Sequence, residues 1–239
     1  MAASQTGFFT SGVDTSTLVL IDGTSIPTTD TFRDAACYYG LGTAGLLSAY
    51  GGPTPTQVGT LSALADTTGN YSNHNTTAII NLDGGIQDFG AIPTTAARNT
   101  MRWVRYIFKT GAVGTVTRHH IGMYSATPMA SRDPAVHGFG LMRDTAGGDA
   151  NWKLWTNDGA GGGTITDTNV AFAVDTRFVV VFDLTDTTSV KCYIGGTLVA
   201  TNTTNLPTST TLLGRNAMVR TLEAVAKDFR FGGWDIRTL

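Results

Sequence analysis

Glu223 is the only glutamate in a chain of 239 residues, and lysine occurs four times against twelve arginines. Glu and Lys are the residues from which solvent-facing helices are built. In their place stand 41 Thr and 29 Gly, together 29% of all positions. Thr favours extended backbone, and Gly breaks regular elements into short pieces. A helical bundle is excluded on this ground, and a doubly wound α/β fold is disfavoured. Charged residues reach only 14%, against the roughly 25% usual for a globular domain. Apolar residues reach 41%, enough for a packed core rather than a disordered chain. A net charge of −2 offers no electrostatic reason to bind nucleic acid or anionic lipid, so neither partner is expected.

The chain divides by pattern near residue 75. Residues 1–75 are carried by Thr, Gly, Ala and Pro, with a turn-rich stretch at Gly51-Gly-Pro-Thr-Pro55. They hold large apolar residues without long apolar runs: Phe8, Phe9, Leu18, Leu20, Phe32, Tyr38, Tyr39, Leu46, Leu47 and Tyr50. Such a segment gains stability by burying those groups against another surface. It is expected to be an N-terminal extension that anchors the protein. The first residues have neither a basic nor a long apolar region, so no secretion signal is expected. The longest strongly apolar run, Phe178–Phe182, is far shorter than the roughly 20 residues of a spanning helix.

Over residues 76–239 the pattern becomes short runs of period two. Strands are predicted at 101–109, 116–124, 137–142, 152–156, 170–174, 177–184, 189–194, 197–201 and 227–236. In Met101–Lys109, Val104, Tyr106 and Phe108 share one face while Trp103 and Ile107 share the other, so this strand is predicted to be covered on both sides. Gly195-Gly196 between two alternating runs predicts a tight hairpin. Val180, Phe182, Val190, Cys192 and Ile194 are predicted to be buried, and a lone buried cysteine is expected to act as a small apolar side chain. Together these features predict an all-β, antiparallel two-sheet jelly-roll sandwich with an N-terminal extension.

The succession Trp152-Lys-Leu-Trp155, Asp175-Thr-Arg-Phe-Val-Val-Val-Phe182 and Val190-Lys-Cys-Tyr-Ile-Gly-Gly-Thr-Leu-Val199 resembles the second half of concanavalin A/laminin-G-like jelly rolls. There a long apolar strand precedes one ending in Tyr-x-Asn-Gly, and Gly195 stands here where Asn is common. Asp228-Phe-Arg-Phe-Gly-Gly-Trp-Asp-Ile236 is similar to the returning C-terminal strand. The likeness covers about residues 100–239 and implies fold more than function.

Chemical motifs are sparse. Gly40-Leu-Gly-Thr-Ala-Gly45 fits a dinucleotide fingerprint, but no parallel strand precedes it, and no cofactor is expected. Retaining glycoside hydrolysis needs two carboxyls about 5 Å apart. One glutamate cannot supply them, and no suitable aspartate pair falls on a predicted strand, so no enzymatic activity is expected. His119 and His120 are neighbours and must face opposite sides of a strand, which denies them a shared metal. The remaining candidate is Trp152, Trp155, Asn157 and Asp158, beside the loop Gly159-Ala-Gly-Gly-Gly163. Asn and Asp oxygens are Ca²⁺ ligands, and an indole face can stack on a sugar. Trp152 and Trp155, three apart, face opposite ways, so at most one joins such a site.

Two functions are compatible with these features. One is a bacteriophage virion protein, a capsid decoration or tail-fibre appendage. It would be held by its N-terminal arm to other virion proteins, assembled in the host cytoplasm, and homo-oligomeric. The alternative is a lectin-like module that binds a surface glycan.

Overall fold

The computed structural model describes residues 56–58, 60–66, 69–88 and 95–238. Fifteen strands account for most of them: β1 (Thr56–Val58), β2 (Thr60–Asp66), β3 (Gly69–Asn75), β4 (Asp83–Asp88), β5 (Thr95–Ala97), β6 (Met101–Thr110), β7 (Thr117–Tyr124), β8 (His137–Asp144), β9 (Asn151–Asp158), β10 (Thr164–Ala171), β11 (Arg177–Asp183), β12 (Val190–Ile194), β13 (Thr197–Asn202), β14 (Leu212–Thr221) and β15 (Asp228–Thr238). The single 3-10 turn Arg98–Thr100 is the only helical element among the described residues. The first sheet runs β1-β4-β14-β7-β8-β9-β10, with β5 also on β14, and the second runs β13-β12-β11-β6-β15-β3-β2. The strand pairings within both sheets are antiparallel. The chain is therefore the two-sheet antiparallel sandwich that its composition predicts.

The core forms between the sheets by strict alternation. From the second sheet come Val104, Tyr106, Phe108, Phe178, Val180, Phe182, Val190 and Cys192; from the first come Ile121, Met123, Phe139, Leu141, Trp152, Leu154, Ala217 and Val219. Trp152 sits at its centre, edge-on to Phe108 and Phe178. Tyr106 carries its hydroxyl across the sandwich to donate to the Gly122 carbonyl at 2.6 Å. Burial pushes the Cys192 thiol well up, keeping it protonated and inert. Ile194 is only partly buried and packs at the core's margin.

The Gly195-Gly196 hairpin is present, with Ile194 paired to Thr197. Both glycines have positive φ, +58° and +84°, which a two-residue turn of this hand requires. Other expectations shift. The strand predicted at 170–174 ends at Ala171 and begins at Thr164. β14, the best-connected strand of the first sheet, lies where no strand is predicted. Strands β1, β2 and β3 join the two sheets, so the sandwich takes in chain ahead of residue 76. Phe8, Phe9, Leu18, Leu20, Phe32, Tyr38, Tyr39, Leu46, Leu47 and Tyr50, with the glycine motif at 40–45, lie outside the described residues.

Candidate functional site

The outer face of the first sheet carries the densest chemistry. Register sets its side chains in rows across the strands. Asp83, Arg220, Arg118 and Asp144 stand side by side on β4, β14, β7 and β8. Two charge-assisted pairs close this row, Arg220 on Asp83 at 2.6 and 2.8 Å and Arg118 on Asp144 at 2.7 Å. The next row holds Met218, His120, Met142, Lys153 and Asp167. Beyond it come Gln87, Asn216, Gly122, Gly140, Trp155 and Ile165. A last row places Tyr124 beside Gly138 and Asn157.

The three glycines make a trough. A Cβ on Gly140 would lie 2.4 Å from the Tyr124 hydroxyl, and one on Gly138 2.9 Å from its ring. Tyr124 therefore lies down on β8 and stacks on Trp155, ring centroids 5.3 Å apart. His120 meets both rings edge-on, with Nδ1 3.4 Å from the Tyr124 hydroxyl.

The connection from Ser125 to Val136 passes over this trough. Its backbone oxygens accept from Arg118 (Met129, 2.9 Å) and meet His120 Nε2 (Ser131, 3.3 Å). Asp133 is its fastening point. Its carboxylate accepts from Trp155 Nε1 at 2.8 Å and from the Gly163 amide at 2.9 Å. Arg132 reaches back to Asp149 in a bidentate pair at 2.7 and 3.0 Å. His120, Tyr124, Met142, Trp155 and Asn216 are fully buried beneath it.

A histidine beside a phenol is an acid–base pair in principle. Here burial pushes the Tyr124 phenol well up and holds His120 down at about 3, aided by the charges of Arg118 and Arg220 against the pull of Ser131 and Asp144. His119 faces the core and is likewise held at about 3, by burial first and then by the charges of Arg143, His120 and Lys227. Both histidines are thus neutral in the fold and protonate readily only when unfolded. Between the unfolded value near 6.5 and the folded value, the unfolded chain binds more protons, so stability falls as pH falls. At pH 5 each histidine is expected to cost about 2 kcal/mol relative to pH 7.5. Urea denaturation at the two pH values measures this, and His120→Gln should remove about half of the loss. An unchanged midpoint in the parent protein between pH 7.5 and 5 contradicts the buried neutral state.

The four residues singled out in the sequence are divided by the fold. Trp152 points into the core and cannot touch a ligand on the outer face. Trp155 faces outward but is covered. Asn157 donates to the Pro134 carbonyl at 3.1 Å and accepts from the Gly159 amide at 2.7 Å. Asp158 accepts from the Ala160 amide at 3.0 Å. The loop after them is therefore closed by its own turns. Among the described residues no group of three or more His, Cys, Asp or Glu is placed to hold a metal ion.

On the β9 and β10 side of this face a carboxylate stands accessible to solvent. Asp167 is 41% exposed at its side chain. It receives Lys153 Nζ at 2.6 Å, Asn151 Nδ2 at 3.1 Å and the Asn169 amide at 2.8 Å. The Lys153 contact chiefly holds its carboxyl below the usual range, so it stays ionised. The partly exposed Ile165 lies alongside, two residues earlier on the same face. None of Asn151, Lys153 and Asp167 stands out in the sequence. Asn151 and Lys153 lie on β9, close to its predicted place, but Asp167 lies on the displaced β10, and only the pairing of the two strands brings them together.

No protein-family model and no curated protein matches the sequence. Solved structures do match. A protein of unknown function from Shewanella oneidensis MR-1 superposes with a TM-score of 0.59 at 15% identity, over 85% of each chain. A GH16 protein from the mixed-linkage glucan PUL of Bacteroides ovatus, in complex with a product, gives 0.53 at 9%, covering 74% of this chain and 84% of its own. The endo-β-1,4-glucuronan lyase of the fungus Trichoderma reesei gives 0.53 at 9%, over 80% and 91%. The chain thus has the jelly-roll sandwich fold, and at these identities the likeness is one of fold.

One expectation is corrected by these matches. The absence of enzymatic activity rested on the count of glutamates, yet the same sandwich carries a glucuronan lyase and a GH16 protein. A glutamate pair is one way to build acid–base chemistry, and Tyr, His and Asp are others. The fold is compatible with an enzymatic role. One match is a GH16 protein, one a glucuronan lyase and one a protein of unknown function, so the bacteriophage reading gains no support from them.

Proposed function

We propose that this jelly roll is a carbohydrate-binding module whose contact surface is the β9–β10 side of the first sheet's outer face. The carrying observation is the arrangement of Asn151, Lys153 and Asp167. An ionised, accessible carboxylate is held in place by an ammonium and two amide donors, with the apolar edge of Ile165 beside it. Sugars present paired hydroxyls around an apolar ring face. A fixed acceptor, neighbouring donors and an aliphatic wall answer both parts of that pattern. The shared fold with polysaccharide-acting proteins agrees with this reading.

The test is a glycan array with the purified full chain, followed by titration of the glycans retained. Asp167→Ala is expected to weaken binding about tenfold or more, the effect of losing hydrogen bonds to a charged group. Reducing-end release and unsaturated-product absorbance on the same panel read any turnover. Failure to retain any glycan, or full retention by Asp167→Ala, overturns the reading.

A further inference from the structure

Four connections that cross from one sheet to the other at the same end of the sandwich are apolar on their outside. They are 76–82 between β3 and β4, 111–116 between β6 and β7, 172–176 between β10 and β11, and 222–227 between β14 and β15. Backbone hydrogen bonds tie them into one surface. The Asn81 amide donates to the Thr221 carbonyl at 2.8 Å, the Leu222 amide to the Val116 carbonyl at 2.9 Å, and the Asp175 amide to the Gly111 carbonyl at 3.0 Å. Large apolar side chains nevertheless face solvent here. Ile79 and Ile80 are 60% and 55% exposed, and Val225 is 43% exposed. Leu82, Val113, Val116 and Val174 are exposed as well. Alanines fill in between, Ala224 and Ala226 beside Val225, Ala112 beside Val113 and Ala173 beside Val174. Seven of the nine exposed large apolar residues among the described ones thus lie on these loops, a concentration that scattered surface residues do not produce. The opposite end shows one, Leu212 at the start of β14.

The charges at this end pair among themselves. Lys109 and Arg230 both reach Asp175, Arg230 also bonds Asp228 at 3.1 Å, and Lys227 bonds Glu223. The cations of these pairs lie underneath: the Lys109 and Lys227 side chains are 6% and 0% exposed, whereas Asp175 is 57% exposed. A bilayer surface draws in exposed Lys and Arg and takes up aromatic side chains. An outward-facing acid, and no exposed aromatic among the described residues, make a poor match to lipid. A second copy fits. An apolar patch whose charges are already neutralised meets its own image without leaving a buried ion unpaired. Val116 and Val225 sit on the two middle crossings, while Asp175 sits on an outer one, away from a two-fold axis through the middle. Strands about 4.8 Å apart in sheets about 10 Å apart give this end roughly 500 Å². Two copies then reach the roughly 1,000 Å² that a specific interface needs.

We propose that this end of the sandwich is the contact surface of a two-fold dimer, in which two chains meet loop to loop through the 76–82, 111–116, 172–176 and 222–227 connections. The backbone bonds between the loops hold the surface in shape before the partner arrives, so little ordering is needed on contact. Asp167 lies on the outer face of the first sheet and not at this end, so the dimer stands apart from glycan binding.

The test is sedimentation velocity of the full chain across concentrations of about 1–100 µM, where a small apolar interface exchanges between one chain and two. The parent is expected to move from the mass of one chain to that of two. Ile80→Glu and Val225→Glu change exposed side chains on two different loops, so the fold, checked by circular dichroism, is kept. Each is expected to weaken the dimer about tenfold or more by placing a charge in the contact. Leu212→Glu, an equally exposed position at the opposite end, is expected to dimerise as the parent does. A parent that stays one chain throughout overturns the proposal. So does unchanged dimerisation in both loop variants, or equal loss in Leu212→Glu. Flotation of a monomeric parent with phosphatidylcholine or phosphatidylserine vesicles would make lipid the occupant and also overturn it.

Discussion

Trp152→Ala is expected to lower stability by about 3–5 kcal/mol, the range for removing a large aromatic from a packed interior. The indole is fully buried. It touches Phe108, Phe172, Phe178 and His119, so its loss opens a cavity bounded by both sheets. Rigid strands on either side cannot close such a gap. Trp152→Phe provides the contrast. The indole Nε1 finds no hydrogen-bond partner in the structure, so losing its N–H removes no bond. Phe fills most of the site and leaves a smaller void, so it is expected to cost about 1–3 kcal/mol, less than Ala. Urea midpoints of the three proteins decide this. A Phe variant as unstable as the Ala variant would show the indole nitrogen to be bonded after all.

The second large effect belongs to Asp133. One carboxylate there satisfies the Trp155 indole, the Gly163 amide and, at 3.5 Å, the Asn157 amide nitrogen. Asp133→Ala leaves these donors unmatched, and the indole and the Asn157 side chain are fully buried. Bonds to a charged acceptor are worth about 1.5–3 kcal/mol each, and stranded donors add their own cost. A total loss of about 3 kcal/mol is expected. The 125–136 connection would also lose its fastening, so Trp155 emission should shift to the red under native conditions. Asp133→Asn, which keeps one acceptor oxygen, should fall between. An Ala variant within 0.5 kcal/mol of the parent on an order-of-magnitude scale would show that Arg132–Asp149 and Arg118–Met129 hold the connection without it.

The architecture was readable because alternation in the core strands is clean. Val104, Tyr106 and Phe108 against Trp103 and Ile107 announce a strand with two buried faces, and that is how β6 sits. β14 escaped because Arg215 and Asn216 interrupt its pattern; both are fully buried, each inside an otherwise apolar strand. A rule that assigns polar residues to solvent reads such a strand as loop. β10 was misplaced for a related reason. Thr164, Ile165, Thr166, Asp167 and Thr168 alternate, but their inner face is made of threonines that bond to Asn202, Thr204 and the Trp152 carbonyl. Hydroxyls satisfied by neighbours behave as core, and one sequence does not show the neighbours.

The candidate site was less legible still. Trp155 and Asn157 draw attention by residue type, and both are spent on internal bonds, while Asp158 carries one turn bond from the Ala160 amide. Asp167, with its oriented carboxylate, looked like any turn aspartate. Its partners Asn151 and Lys153 are 16 and 14 residues away and meet it only across a bulged ladder.

The trough formed by Gly122, Gly138 and Gly140 has a consequence for how such a face could diversify. Tyr124 lies flat because atoms are missing beneath it. A single methyl at position 140 denies the phenol its resting place, and one at 138 denies the ring. Either would tip Tyr124 upward and lift the 125–136 connection resting above. A methyl at either position would also press on the backbone of β7, the Ile121 carbonyl for 140 and the Met123 carbonyl for 138, so the two strands must give way as the aromatic lifts. Exchanging glycine for alanine on this face therefore changes both its relief and the fit of β7 against β8.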